Sequence, residues 1–171
     1  MSLFSRILGR KSDDKAIARP LWHRIVEIAR EREWYADCGV ADTVPGRFDA
    51  ITLVLSLVIL RMEREEALLP PSARLTELFV EDMDGQLRQS GVGDLVVGKH
   101  MGKLMSVLGG RMGALRDALP SGEDAVSQVI ERNVSLIEGS DPKLAAQRAI
   151  ALDWQLAEMS SEDLLEARFE R

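Results

Sequence analysis

Residues 48–62, FDAITLVLSLVILRM, decide how the rest of the chain is read. Between residues 50 and 60 only Thr52 and Ser56 are polar, so a helix here is apolar on every side. Eleven residues of this kind fall well short of the roughly 20 that span a bilayer. The segment is therefore expected to be the central buried helix of a bundle rather than a membrane anchor, and residues 61–66, RMEREE, end it in charge.

Outward from it, period-2 alternation is absent and the helix signals recur. Pro20 suits the first turn of a helix running to about Cys38, with Leu21, Ile25 and Ile28 inward. Residues 40–46, with Pro45-Gly46, read as a loop. Pro70-Pro71 opens a helix to about Ser90, and Asp94 opens another to about Leu119. Ser121-Gly122-Glu123-Asp124 forms a capping-box pattern before a helix to about Glu138. Gly139 stops that helix, Asp141-Pro142 starts one to about Met159, and Ser161 caps a last short one. The expectation is an all-α fold, a single multi-helix bundle of about six to seven helices. Residues 1–18 are set apart as a flexible or amphipathic N-terminal segment, residues 19–171 as the helical domain, and residues 121–171 as acidic packing helices within it.

A chain of 171 residues buries about 70% of its unfolded surface without a staple. Cys38 is the single cysteine, so neither an intrachain disulfide nor a cysteine metal cluster can form, and a reducing compartment fits. Residues 1–120 carry 17 basic and 17 acidic groups, and residues 121–171 carry 5 and 11, so the net charge of −6 lies in the last third. No basic face is available to neutralise a nucleic-acid backbone, and no nucleic-acid specificity is expected.

Residues 81–99, EDMDGQLRQSGVGDLVVGK, place charges and glycines where a plain scaffold needs neither. Leu75, Leu78, Phe79 and Met83 make an apolar stripe, and Asp82 falls inside it. A buried carboxylate needs a partner, and Arg47 and Arg111 offer one by residue type; otherwise Asp82 reaches water at the edge of the stripe. Asp84 and Arg88, four apart, fit a solvated pair. Gly91-Val92-Gly93 followed by Asp94 reads as a glycine C-cap, a tight turn and a new N-cap. It is not a phosphate loop, because Gly98-Lys99 is followed by His100 and no strand precedes it.

On the next helix Met101, Leu104, Met105, Leu108, Met112, Leu115 and Leu119 form an amphipathic stripe. Gly98, Gly102, Gly109 and Gly113 lie beside it, at a joint cost of roughly 4 kcal/mol of helix stability. Either a neighbouring helix of the same chain approaches closely there, or the glycines line a groove for a partner helix, with Lys99 and Lys103 as a cationic rim. At the amino terminus Leu3, Phe4, Ile7 and Leu8, with Arg6, Arg10 and Lys11, read either as a frayed end or as a weak contact with an anionic membrane surface. No secretory signal follows.

His23 and His100 with one cysteine leave little for nucleophilic or metal chemistry, and no HExxH, GxSxG or CxxC spacing occurs. No metal site, no cofactor and no enzyme activity are expected. A haem-handling enzyme would have only the two histidines as axial ligands.

Gly46-Arg47-Phe48-Asp49, then Asp82-Met83-Asp84 with Leu87-Arg88, Gly91-Val92-Gly93-Asp94, Gly98-Lys99 and Gly110-Arg111 resemble the ubiquinol–cytochrome c chaperone family over about residues 35–119. Gly102 and Leu108-Gly109 depart from its pattern, which has a basic residue and aromatics at those places. The resemblance implies a non-catalytic assembly chaperone for respiratory complex III whose client is newly made cytochrome b. With no transit peptide the chain looks like a bacterial relative, cytoplasmic and peripheral to the inner membrane, the ribosome or that membrane surface being further candidate partners. The client surface is then expected around Arg47, Phe48, Asp82, Asp84, Arg88, Asp94, Lys99, Met101 and Lys103, with Gly46, Gly91, Gly93, Gly98, Gly102, Gly109 and Gly113 shaping turns and groove. Some of these are expected to be internal brackets, Asp82 with Arg47 first among them. A general helical adaptor is the alternative from another class.

Overall fold

The computed structural model describes residues 3–169 except 90 and 92, and side chains from residue 16 onward except those of 94, 95 and 97. Among the described residues there is no strand, only an isolated bridge between Val40 and Leu136, and the fold is all-α. The helices are α1 (Leu3–Ala29), α2 (Arg32–Ala36), α3 (Val44–Met62), α4 (Leu69–Gln89), α5 (Asp94–Ala118), α6 (Glu123–Asn133), α7 (Pro142–Glu158) and α8 (Ser161–Leu165), with 3-10 turns at Glu66–Leu68 and Leu119–Ser121. No described helix is long and apolar enough to cross a membrane.

The chain divides into two compact units. The first is drawn from Met1–Arg24, Met62–Leu104 and Met159–Arg171, the second from Ile25–Arg61 and Met105–Glu158. In the first, Ala18, Leu21 and Trp22 of α1 are buried together with Leu75, Leu78, Phe79 and Met83 of α4. Trp22 meets Phe79 edge to face at 6.1 Å, a preferred aromatic geometry. α8 is capped by Ser160, whose hydroxyl accepts from the Asp163 N–H at 3.1 Å, one residue before the expected cap at Ser161. Ser161 instead donates to the Glu65 carboxylate.

In the second unit α3 is the buried centre, as its composition requires: every residue from 50 to 61 is buried. Its polar members spend their hydroxyls on the helix itself. Thr52 donates to the Phe48 carbonyl at 3.0 Å and Ser56 to the Thr52 carbonyl at 2.6 Å, which removes the cost of burying them. The helix begins earlier than expected. Thr43 Oγ1 accepts from the Gly46 N–H at 3.2 Å as an N-cap, so Pro45 and Gly46 lie in the first turn, not in a loop. A Cβ on Gly46 would stand 1.9 Å from the Ala41 carbonyl oxygen.

Three other boundaries differ from the sequence expectation. α1 runs through Pro20 instead of starting there; Pro20 is exposed while Ala18, Leu21 and Trp22 are buried. The same helix stops at Ala29, where the Trp34 indole N–H donates to the Ile28 carbonyl at 2.9 Å and the Tyr35 hydroxyl to the Ala29 carbonyl at 2.8 Å. These aromatics satisfy carbonyls that a continuing helix would have used. α6 ends at Asn133 rather than near Glu138, because Val134 turns extended and residues 135–137 bond across to residues 39–41: Ala41 N–H to Ser135 at 2.8 Å and Ile137 N–H to Gly39 at 2.8 Å. The expected Ser121 cap is also absent. Gly122, at φ 91°, occupies that place, and Ser121 donates to the Asp117 carbonyl.

Burial pushes the Cys38 thiol above its ordinary range, with Arg148 acting in the opposite direction. At a given pH less of it is thiolate. Ellman's reagent is expected to label the folded chain much more slowly than the urea-unfolded chain at pH 8; equal rates in the two states would contradict the buried placement.

Candidate functional site

The residues singled out from the sequence fall into both units. In the first, α4 carries its apolar stripe inward, and Asp82 and Gln86 are exposed. Asp82 therefore sits at the stripe's edge in water and is not an internal bracket. Asp84 and Arg88 pair at 2.8 Å across one turn, worth about 0.3–0.5 kcal/mol at such exposure. α4 then ends, and Gly91 adopts φ 84° with its N–H on the Arg88 carbonyl at 3.0 Å; the expected glycine turn is present. The backbone of Asp94 opens α5, while its side chain, like all of Val92, lies outside the described residues.

α5 is covered unevenly. Among its described side chains none from residue 96 to 107 is buried, whereas Leu108, Arg111, Leu115 and Ala118 are. Lys99, His100 and Lys103 are exposed and Met101 is half-buried. A Cβ built on Gly98, Gly102, Gly109 or Gly113 meets nothing within 4 Å. Among the described residues, then, no helix of the glycines' own unit comes close enough to account for them.

The second unit holds Gly46, Arg47 and Phe48 at the start of α3. Arg47 is exposed and pairs with Asp42 at 2.6 Å, which holds the Asp42 carboxyl below its usual range. The sequence expectation paired Arg47 with Asp82; the pair described within the second unit is Arg47 with Asp42. A further bracket of that unit was not among the expectations. Arg111, 2% exposed, donates through Nη2 to Asp49 Oδ1 at 2.9 Å and through Nη1 to the Asp49 carbonyl at 3.0 Å. It also donates to Thr52 Oγ1 and to the Asn133 carbonyl at the end of α6. Asp49 Oδ2 accepts from the Ser135 N–H at 2.9 Å and its hydroxyl at 2.7 Å. The sequence signal was an Asp next to the apolar segment of α3 and an Arg inside the stripe of α5. A buried carboxylate and a buried guanidinium on two core helices call for one another.

His23 and His100 are both exposed, and no cluster of three or more His, Cys, Asp or Glu suited to a metal occurs among the described residues. What the described residues offer is a scaffold held in the second unit by the Arg111–Asp49 pair and, on α5, a glycine-rich stretch in which none of the described side chains from 96 to 107 is buried.

Residues 36–171 match the family model described as ubiquinol-cytochrome C chaperone. The chain belongs to that family. Its structure is similar to the crystal structure of the Cbp3 homolog from Brucella abortus, with a TM-score of 0.80 and 29% identity, over 98% of this chain and 96% of that one. A search of curated proteins found no match.

Two substitutions separate scaffold from surface. Arg111→Ala strands Asp49 in the interior and is expected to cost about 3–5 kcal/mol, read as a lowered urea midpoint. Gly102→Ala adds a methyl in open space and is expected to stabilise the chain by about 1 kcal/mol; a loss of stability would mean that the α5 face is covered.

Proposed function

We propose that this chain is a non-catalytic chaperone that binds newly made cytochrome b and assists assembly of ubiquinol–cytochrome c reductase. One observation carries the reading: α5 keeps four costly glycines, Gly98, Gly102, Gly109 and Gly113, none with a described neighbour where a Cβ would stand, and none of the described side chains of its amino-terminal half is fully buried. A face of this kind lets an apolar client helix approach closely. Half-buried Met101 and exposed Met105 adapt to different side chains, and Lys99 and Lys103 edge the face with charge. The absence of strong anchors keeps the hold weak enough to release the client.

On this reading Lys99, Met101 and Lys103 contact the client, and Arg88, Asp84, Asp82 and Asp94 line the turn that leads into α5. Gly98 and Gly102 form the floor of the groove, Gly109 and Gly113 continue the row, and Gly91 and Gly93 set the turn. Arg47 and Phe48, in the second unit, are further proposed client contacts. The family relationship and the Brucella abortus homolog support the assembly role. The chain acts in the cytoplasm, with residues 1–18, the stretch that opens α1, touching the inner membrane surface or the ribosome; the side chains of Leu3, Phe4, Arg6, Ile7, Leu8, Arg10 and Lys11 lie outside the described ones. Residues 19–171 form the chaperone domain.

Photo-crosslinkers placed at Lys99 and Lys103 in detergent-solubilised host cells are expected to capture cytochrome b. Arg88→Ala with Lys99→Ala is expected to lower cytochrome b several-fold without changing the melting temperature. Normal cytochrome b in that double variant would refute the site, and soluble partners alone at both crosslinkers would favour a general adaptor. Gly98→Ala with Gly102→Ala supplies a third check: stability rises while complex III falls.

A further inference from the structure

Of the three tryptophans, Trp22 and Trp34 are buried and Trp154 is 70% exposed. An indole left in water is a large uncovered apolar surface, and such residues are the usual anchors of protein interfaces. At 100° per residue, Leu144, Gln147, Ala151, Trp154 and Glu158 share one face of α7. All five are exposed. The strip continues beyond the helix start: Ile137, 53% exposed, donates its N–H to the Gly39 carbonyl, and the adjoining Cys38 thiol donates to the Leu144 carbonyl at 3.6 Å. Ile137 and Leu144 thus flank the same pair of residues. From Leu144 to Trp154 the strip is about 15 Å long.

Its edges are acidic. Glu123 lies beside Gln147, whose amide donates to it at 3.1 Å, and Asp124 pairs with Lys143 at 2.9 Å. Glu138 follows Ile137, Asp141 sits at the start of α7 and Glu158 one turn beyond Trp154, all three exposed. The cations alongside are engaged: Lys143 by Asp124, and Arg148 by Glu31 at 2.5 Å and by the Trp34 ring. A second copy using this strip would set acidic edge against acidic edge, and an anionic lipid surface would meet the same repulsion. Charge complementarity selects a cationic occupant.

We infer that the outward face of α7 centred on Trp154 is a docking surface for a basic amphipathic helix of a protein partner. Its apolar side settles on Ile137, Leu144, Ala151 and Trp154 while its Lys and Arg residues meet Glu123, Glu138, Asp141 and Glu158. The surface is separate from the α5 face and stands whether or not α5 holds cytochrome b.

The test titrates two synthetic helical peptides with the same leucine face, one with lysines and one with glutamates on the polar face, into the full chain. With Trp22 and Trp34 buried, a change in tryptophan emission reports Trp154. The lysine peptide is expected to shift the emission to the blue and to bind at least about tenfold more tightly than the glutamate peptide. Trp154→Ala, which removes the reporter and is therefore titrated by calorimetry alongside the unaltered chain, is expected to weaken binding by about tenfold with the melting temperature unchanged, and salt to weaken it further. Equal binding of the two peptides, no binding of either, or indifference to Trp154→Ala would overturn the inference. So would the same emission shift with phosphatidylglycerol vesicles, or a dimer in sedimentation that Trp154→Ala dissolves.

Discussion

Arg111 brings a permanent cation into the middle of the second unit, and the packing there follows from the need to satisfy it. Taking a guanidinium out of water costs several kcal/mol unless its donors find acceptors. Asp49 supplies a carboxylate oxygen and a carbonyl, Thr52 a hydroxyl and Asn133 a carbonyl; Nε is left without a partner. The same carboxylate takes both donors of Ser135. One ion pair therefore fixes α3 against α5 and decides where α6 ends. Residues 134–137 cannot continue the helix, because Asp49 and the bonds to residues 39–41 hold them extended.

That anchorage explains how α5 tolerates its composition. A helix with four glycines in the row considered, each costing about 1 kcal/mol against alanine, needs compensation from tertiary contacts. Leu108, Arg111, Leu115 and Ala118 provide it in the carboxy-terminal half. The amino-terminal half inherits order from the continuous hydrogen-bond ladder, and its outward residues are released from packing duty. An open helix face is therefore affordable here only because the other half is locked.

The legible part of this fold is the part governed by burial. Residues 50–60 read as a central helix and are one; the stripe Leu75, Leu78, Phe79, Met83 reads as core and is core. What stayed hidden depends on pairings between distant residues. Nothing local says that Trp34 and Tyr35 will terminate α1, or that Val40 will bridge Leu136. Pro20 was read as a start because proline costs about 3 kcal/mol inside a helix, yet burial of Ala18, Leu21 and Trp22 on the opposite face outweighs it. The candidate site divides in the same way. The turn at Gly91 and the Asp84–Arg88 pair were visible as local patterns, whereas Arg47 was assigned Asp82 when Asp42, five residues away, was closer at hand.

The two exposed faces differ in the physics they offer a partner. On α5 the surface is glycine and methionine edged by lysines, with no large rigid side chain; contact there is spread over many small gains and is lost in steps. On α7 one indole stands on a strip with Leu144 and Ala151 that has carboxylates along its edges, so contact concentrates in a single anchor with electrostatic selection beside it. A client that must be released suits the first, and a partner that stays suits the second. The opposite charge at their edges works in the same direction, since a helix with a basic polar face drawn to α7 is repelled by Lys99 and Lys103. With both proposed partners in place, the sign of the rim, more than the apolar area it encloses, would keep the two kinds of partner apart.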